Sequence, residues 1–332
     1  MATCPLRRSR ILGTGACVPD NVVTNSDLEK RVDTTDQWIR ERTGIRERRI
    51  APPGVVTSEL CEGAARKALE AAGLTAADLD LLVVGTATPD MSFPATACFL
   101  QERLGIRGQM AFDLTAVCSG FLYGLTVADQ FIRTGQARFA LVVGAEILSR
   151  ILDWDDRATC VLFGDGAGAA VLGPSEDPNR GIMAARMAAD GSYWPILNMP
   201  GGGALHPASL ESVAARLHFI KMNGNEVFKV AVRALQEVSE RVLDQGGIRA
   251  EDLALFIPHQ ANRRIIDAVS KRLGVPDSKV YVNVDRYGNT SAASIPIALD
   301  EVVRAGQLRP GDSVLLAAFG GGVTYGAALL NW

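Results

Sequence analysis

The sequence predicts an α/β fold whose strands are largely parallel and covered on both faces. Three observations lead there. Apolar runs of strand length alternate with stretches of helical period along the whole chain. The strand-like runs are nearly uncharged, as strands buried on both faces must be. A series of short motifs in the first half also recurs, in the same order, in the second. The 332 residues suffice for one large or two medium domains with a substantial core.

Residues 1–10 (MATCPLRRSR) are basic, but Gly13 and Gly15 break the apolar run that follows, so no secretory leader is expected. Residues 58–72 read as an amphipathic helix stopped by Gly73. Residues 79–87 (LDLLVVGTA) read as a buried strand. Phe121, Leu125, Ala128 and Ile132 recur at steps of four, three and four, one face of a helix. Residues 138–146 (RFALVVGAE) and 313–319 complete the clearest strands. FGDGAGAAVL (163–172) has glycines at alternate positions, not the dinucleotide-binding spacing, and reads as a turn between two strands. FGGGVTYG (319–326) reads as a bend after a buried strand, with bare N–H groups suited to an oxyanion hole.

The internal duplication links AADLDLLVVGTA to AEDLALFIPHQA, the two RLG triplets, and RTGQ to RAGQ, at separations of 174, 169 and 171 residues. The last separation carries Cys118 onto Asn289, and the first carries Gly85 onto His259. The expected division is residues 1–174, bearing the cysteine, and 175–332, a linker and second half bearing the histidine and asparagine.

Composition excludes several classes. Hydrophobic residues make up 48% and charged residues 21%, an ordinary globular balance. No apolar run approaches the roughly 20 residues that span a bilayer, so no membrane insertion is expected. A net charge of −3 argues against bulk nucleic-acid binding. Cysteines 4, 17, 61, 98, 118 and 160 form no C-x-x-C pair and read as reduced thiols of a cytoplasmic chain. Three histidines without cysteine–histidine spacing leave little room for a metal.

The chemistry centres on TAVCSGF (115–121). A thiol between a strand and a helix N-terminus meets free N–H groups and the positive dipole end, which favour thiolate. Cysteines at such joints are also common inert packing residues. IPHQAN sets His259 directly after an apolar strand, where Pro258 blocks pairing; GNTSAASIP sets Asn289 in a tight turn before a helix. Imidazole and carboxamide donors aimed at one oxygen stabilise an oxyanion or enolate. A satisfied core histidine and an ordinary N-cap are the alternatives.

The motifs DQWIRERTGIRERRI, FPATAC, TAVCSGF, DRATCVLFGDGAGAAV, MNGNEVFKVAV, IPHQANRRII, YGNTSAASIPIAL and FGGGVTYG together resemble the 3-oxoacyl-[acyl-carrier-protein] synthase III family of the thiolase-like superfamily, from about residue 11 to 332. The resemblance implies two duplicated αβαβα halves in a five-layered αβαβα sandwich, and a homodimer. It implies a catalytic Cys118, His259 and Asn289, with oxyanion donors at the N–H groups of Cys118 and Gly321. It also implies acyl-CoA thioesters as substrates, with no cofactor besides. Coenzyme A would meet Trp38, Arg42, Arg157, Asn225 and Phe228, with Trp38 on the adenine and the guanidiniums on phosphates. Phe93 would cross the dimer interface to the partner's acyl pocket.

An acidic acyl-carrier protein would dock at Arg264, aided by Lys229, Arg263, Lys271 and Arg272. Residues 40–49, with five arginines and two glutamates, add local positive charge. A solvated helix face is the plain alternative for the second run. Tyr325 and Val323 depart from the family's usual tryptophan and aromatic, near what is expected to be the site floor. A papain-like hydrolase would need C-G-S-C-W surroundings, which TAVCSGF lacks. A non-catalytic acyl binder would leave three triad residues unexplained. A relative joining other acyl thioesters in secondary metabolism stays open.

Overall fold

The computed structural model describes residues 8–332, so Cys4 lies outside the described residues. Two mixed sheets form its framework. In the first, strands lie in the order Ser9–Cys17, Gly166–Pro174, Ala140–Glu146, Leu81–Gly85 and Met110–Leu114. In the second the order is Gly181–Ala189, Thr324–Asn331, Ser313–Gly320 and Leu255–Pro258. Both run antiparallel, antiparallel and then parallel across their first four strands. The first adds a parallel fifth strand, where the second keeps a single parallel bridge, Phe256 to Val280. The parallel character predicted from sequence therefore holds for only part of each sheet.

Helices Gly120–Arg133 and Ser294–Arg304 lie between the sheets. Phe121, Leu125, Ile295 and Leu299 share one core with Val142 of the first sheet and Leu316 of the second. Each such side chain contributes about 1.5–3 kcal/mol of burial. The predicted apolar face is thus turned to the centre, with Phe121, Leu125, Ala128 and Ile132 all buried. Helix Thr57–Ala72 covers the outer face of the first sheet, ending at Gly73 with φ 65°, as expected. Helices Gly224–Gly246 and Arg263–Leu273 cover the second. The result is the five-layered sandwich of two duplicated halves.

The glycine-rich run at 163–172 is a correction. It is not a turn between strands: Gly166 and Gly168 lie within the strand Gly166–Pro174 and share one face of it. A Cβ on Gly168 would sit 2.7 Å from Pro296 and from Ile297 N, so the bare face lets the central helix lie against the strand. The bend at 321–323 does join two strands, Ser313–Gly320 and Thr324–Asn331. Pro258 likewise does not block pairing. It is the last ladder residue, opposite Ala317, and His259 N–H extends the ladder to Ala317 O at 2.8 Å.

The duplication is sharper in three dimensions than in the motifs. The 3₁₀ turns Val117–Ser119 and Ser291–Ala293 lead into the two central helices, with Val117 at φ 48° and Ser291 at φ 49°. Matching these turns puts Cys118 opposite Ala292 and Thr115 opposite Asn289, a separation of 174 residues. The pairing of Cys118 with Asn289 from the RTGQ/RAGQ separation is therefore three residues out, because an indel lies between helix start and helix end. Each turn rests on a glycine of the other half's sheet. A Cβ on Gly320 would sit 2.7 Å from Cys118 N, and one on Gly144 would collide with Ala292 O.

Candidate active site

Cys118, His259 and Asn289 line one cavity of about 680 Å³. Its remaining wall is largely apolar, with Leu197, Val227, Leu235 and Phe319. Three different chain ends deliver the three polar groups: the 3₁₀ turn after the Met110–Leu114 strand, the end of the Leu255–Pro258 strand, and the turn before Ser294–Arg304.

The second turn holds Asn289 in one orientation. Its N–H donates to Leu162 O at 2.8 Å, and its carbonyl accepts from Gly164 N–H at 3.0 Å. Ser291 N–H donates to Asn289 Oδ1 at 2.8 Å. With Oδ1 engaged, the Nδ2 donors are the part of the amide free to meet a ligand. Gly288, at φ 64°, supplies the left-handed residue that the approach requires.

His259 is held by Ser294, whose Oγ lies 2.6 Å from Nδ1 and also accepts Gln260 N–H at 3.3 Å. With the Ser294 hydroxyl donating to Nδ1, the imidazole proton lies on Nε2. Burial pushes the His259 pKa down to about 3. The ring is therefore a neutral donor across the working pH range.

Cys118 departs from the sequence expectation. It sits in the turn two residues before the helix, 6% exposed, and burial drives its thiol up to about 12, against the Ser291 hydroxyl and its own N–H, which favour thiolate. Desolvation outweighs the helix terminus, so the resting site holds a thiol beside a neutral imidazole. Sequence reasoning passed over Ser291 and Ser294, although both lie in the quoted GNTSAASIP. It also missed Glu146, wholly buried at the end of the Ala140–Glu146 strand. A carboxylate closing an otherwise apolar strand is the signal that could have found it.

Of the groups assigned to coenzyme A by resemblance, Trp38, Arg42, Asn225 and Phe228 line the cavity. Arg157 does not, but its guanidinium lies 4.8 Å from the Trp38 ring centroid, and that of Arg42 lies 5.5 Å away. Arg157 also donates to Asp33 O at 2.7 Å. Both cations thus stack on the indole in this structure.

Arg264 and Lys229 line the cavity too, with the Arg264 guanidinium 5.7 Å from the Phe228 ring centroid. Arg263, Lys271 and Arg272 are not on its wall; Arg263 pairs with Asp267 at 2.6 Å and Arg272 donates to Gln236 at 3.3 Å. The basic run at 40–49 is not all surface. Arg48 is wholly buried, donating to Val23 O, Asn25 Oδ1 and Val161 O.

Gly321 is not on the cavity wall; it lies under Leu197, where a Cβ would meet Leu197 O at 3.0 Å. Phe93 is 83% exposed and away from the cavity of its own chain. Val323 and Tyr325, expected at the site floor, are not on the cavity wall but pack in the same core as Leu235 and Phe319, which are. Alternation along the final strand turns Tyr325 to the helical layer, and Val323 lies in the bend just before that strand.

Comparison with known proteins gives the family. Residues 112–191 match the model for 3-oxoacyl-[acyl-carrier-protein (ACP)] synthase III, and 243–332 match its C-terminal model. A beta-ketoacyl-[acyl-carrier-protein] synthase III of Desulfitobacterium hafniense is 56% identical over 322 residues, 97% of each chain. The crystal structure of 3-oxoacyl-[acyl-carrier-protein] synthase III from Aquifex aeolicus VF5 aligns with TM-score 0.90 at 49% identity, covering 98% of this chain and 100% of that one. The priming beta-ketosynthase of the R1128 polyketide biosynthetic pathway aligns with TM-score 0.91 at 38% identity, covering 98% and 97%. The chain belongs to the 3-oxoacyl-[acyl-carrier-protein] synthase III family.

Proposed function

We propose that the protein is an acyltransferase that joins an acyl-CoA starter to malonyl-[acyl-carrier protein], giving 3-oxoacyl-carrier protein, coenzyme A and CO2, the condensation that opens fatty acid synthesis. One observation carries this reading: a thiol from the first half shares a cavity with a neutral imidazole and an oriented amide from the second. Cys118 attacks the acyl thioester and keeps the acyl group while coenzyme A leaves, so the kinetics are ping-pong. The malonyl thioester then enters the same cavity. His259 Nε2–H and Asn289 Nδ2–H donate to its carbonyl oxygen and hold the enolate formed as CO2 departs. The enolate carbon attacks the acyl-cysteine, whose oxyanion meets the Cys118 N–H; the Gly321 N–H, next in the chain after the glycine packed on Cys118 N, is the second donor that the resemblance implies.

Thioester and carboxylate supply their own leaving groups, and no redox change occurs, so the chemistry asks for no cofactor. Trp38, Arg42, Arg157, Asn225 and Phe228 take the coenzyme A portion, and the two guanidiniums leave the indole for phosphate oxygens. Arg264, with Lys229, Arg263, Lys271 and Arg272 around it, meets the acidic carrier protein. The exposed Phe93 fits a homodimer in which it reaches the partner's acyl pocket. The two halves divide near residue 174, and the enzyme works in the cytoplasm.

Intact-protein mass spectrometry after incubation with a panel of acyl-CoA thioesters is the test. One acyl mass on Cys118, discharged as 3-oxoacyl product when malonyl-carrier protein is added, is the expected result. Hydrolysis without carbon–carbon bond formation would sink the reading. The R1128 relative gives the second reading, starters other than those of fatty acid synthesis, and the acyl mass found separates the two.

A further inference from the structure

Behind the nucleophile lies a buried acid that the condensation, as described, does not use. Glu146 is wholly buried and ends the central strand of the first sheet. Its Oε2 accepts from Thr88 Oγ1 at 2.5 Å and Thr86 Oγ1 at 3.4 Å, and Ala87 N–H lies 3.2 Å from both oxygens. Its Oε1 accepts from Ser291 Oγ at 3.0 Å. Ser291, 1% exposed, is also the side-chain hydrogen-bond partner of the Cys118 sulfur. Its hydroxyl has a single hydrogen and stands between a thiol and a carboxylate. The hydroxyl can give that hydrogen to a thiolate or, as here, to Oε1; with it on Oε1, the Oγ lone pairs are free to take the thiol proton, a path that needs no water.

We propose that Glu146, acting through the Ser291 hydroxyl, takes up the Cys118 proton as the thiol attacks the acyl thioester and returns it when the thiolate is expelled in condensation. The inference rests on the proposed reaction and deepens it. In the first half-reaction the sulfur–carbonyl bond forms, the carbonyl–SCoA bond breaks, and CoA leaves as thiolate to take a proton from solvent. The thiol hydrogen passes to Ser291 Oγ while the Ser291 hydrogen passes to Oε1. In the second half-reaction the malonyl carboxylate leaves as CO2, and its bonding pair makes the new carbon–carbon bond. Collapse of the tetrahedral adduct then expels the cysteine thiolate, and the stored proton travels back. The cycle ends with thiol and carboxylate restored and one solvent proton consumed, which balances the reaction.

Two features of the site favour this acceptor. Burial raises the Glu146 pKa to about 7, against its four hydrogen-bond donors, so the carboxylate is a usable base near neutrality. His259, the other candidate, is held so far down by burial that it is a poor one. The titratable groups around Glu146 are Cys118 across Ser291, Cys61 on the covering helix, and Asp90 and Asp113 beyond it.

Glu146→Gln and Ser291→Ala in the full chain test the relay. Ser291→Ala removes only the link and leaves Glu146 with Thr86, Thr88 and Ala87, so it guards against a folding defect in the first variant. The readouts are the rate of acyl-adduct formation on Cys118 from pH 5.5 to 9, and malonyl-carrier-protein decarboxylation without acyl-CoA. The parent should acylate faster as pH rises through about 7. Each variant should lose about 10²-fold in acylation near neutrality, together with that rise, and keep decarboxylation within about twofold. Parental acylation rates and profile in both variants, or decarboxylation falling in step with acylation, would overturn the relay. If no acyl-CoA acylates the parent, the proposed reaction fails, and alkylation of Cys118 by iodoacetamide decides the relay alone. The same loss in the variants then supports it, and unchanged rates refute it.

Discussion

The turns Val117–Ser119 and Ser291–Ala293 share a backbone. Each is a 3₁₀ turn with a non-glycine residue in the left-handed region, each opens a central helix, and each rests on a glycine of the opposite sheet. Their chemistry differs at every position that matters. Where the first has Cys118, the second has Ala292; where the first has Val117, the second has Ser291; where the first has Thr115, the second has Asn289. Duplication therefore supplied two equivalent seats facing one another across the core. One came to hold the nucleophile, and the other the groups that orient and stabilise what the nucleophile reacts with. The comparison teaches that the site is a property of the interface between halves, so damage on either side should separate the half-reactions.

The largest effect should come from the first seat. Cys118→Ala should lower condensation by at least about 10³-fold and leave no acyl mass on the protein, because among the described residues no other thiol lines the cavity. Malonyl decarboxylation should continue, since its donors, His259 and Asn289, come from the other half. An acyl adduct on another residue of the Cys118→Ala protein would break the comparison.

The second seat should give the complementary pattern. Asn289→Ala removes an amide whose Oδ1 is already committed to Ser291 N–H. Condensation should fall by about 10²–10³-fold, the loss typical of one oxyanion donor. Acyl transfer from acyl-CoA should persist, and a variant that cannot be acylated would show that the two turns do not divide the work.

Much of this was legible in the residues, and the failures are instructive. The central helix could be read because its apolar residues recur at helical steps and face a packed layer. Cys118, His259 and Asn289 could be read because each stands where an apolar strand or glycine turn stops. The duplication already brought these three to one seam, and resemblance supplied their roles as a triad. The offset between copies was misjudged because one indel lies inside the helical segment, invisible to motifs at its far end. The state of the thiol was misjudged because proximity to a helix start is a local fact, whereas desolvation depends on the whole fold. The glycines at 166 and 168 look like a turn until the Pro296–Ile297 backbone is laid across them. Glu146 and Ser291 escaped notice because their partners are 145 residues apart in the chain.

The glycines under the turns sharpen the comparison with smaller changes. Gly320→Ala drives a methyl toward Cys118 N, and Gly144→Ala drives one toward Ala292 O. Each should cost about 1–3 kcal/mol, measured as a urea midpoint shift at constant slope. Beyond stability they should differ in kind, Gly320→Ala slowing acyl transfer more than decarboxylation and Gly144→Ala the reverse. Equal effects on both steps would mean that the turns move as one body.

The smallest test uses the opposite protonation energetics of the two halves. His259, ordinarily near 6.5, is depressed to about 3 when folded, so the unfolded chain binds the extra proton and stability is lost as pH falls below 6.5. Glu146, ordinarily near 4.5, is raised to about 7 when folded, so the folded chain holds the extra proton and stability is lost as pH rises from 4.5 to 7. Between pH 7 and 5 the two contributions oppose each other, each on the order of 2 kcal/mol at one pKa unit per 1.36 kcal/mol. The parent should therefore change little over this range through these groups. His259→Gln should gain stability relative to the parent on acidification, because only the carboxylate contribution remains. Glu146→Gln should lose it, for the mirror reason. Urea titrations of the three proteins at pH 5 and 7 measure the divergence. Parallel curves would mean that one of the two groups is reached by water in solution and keeps its ordinary pKa, which would remove either the neutral imidazole or the buried acid from the site.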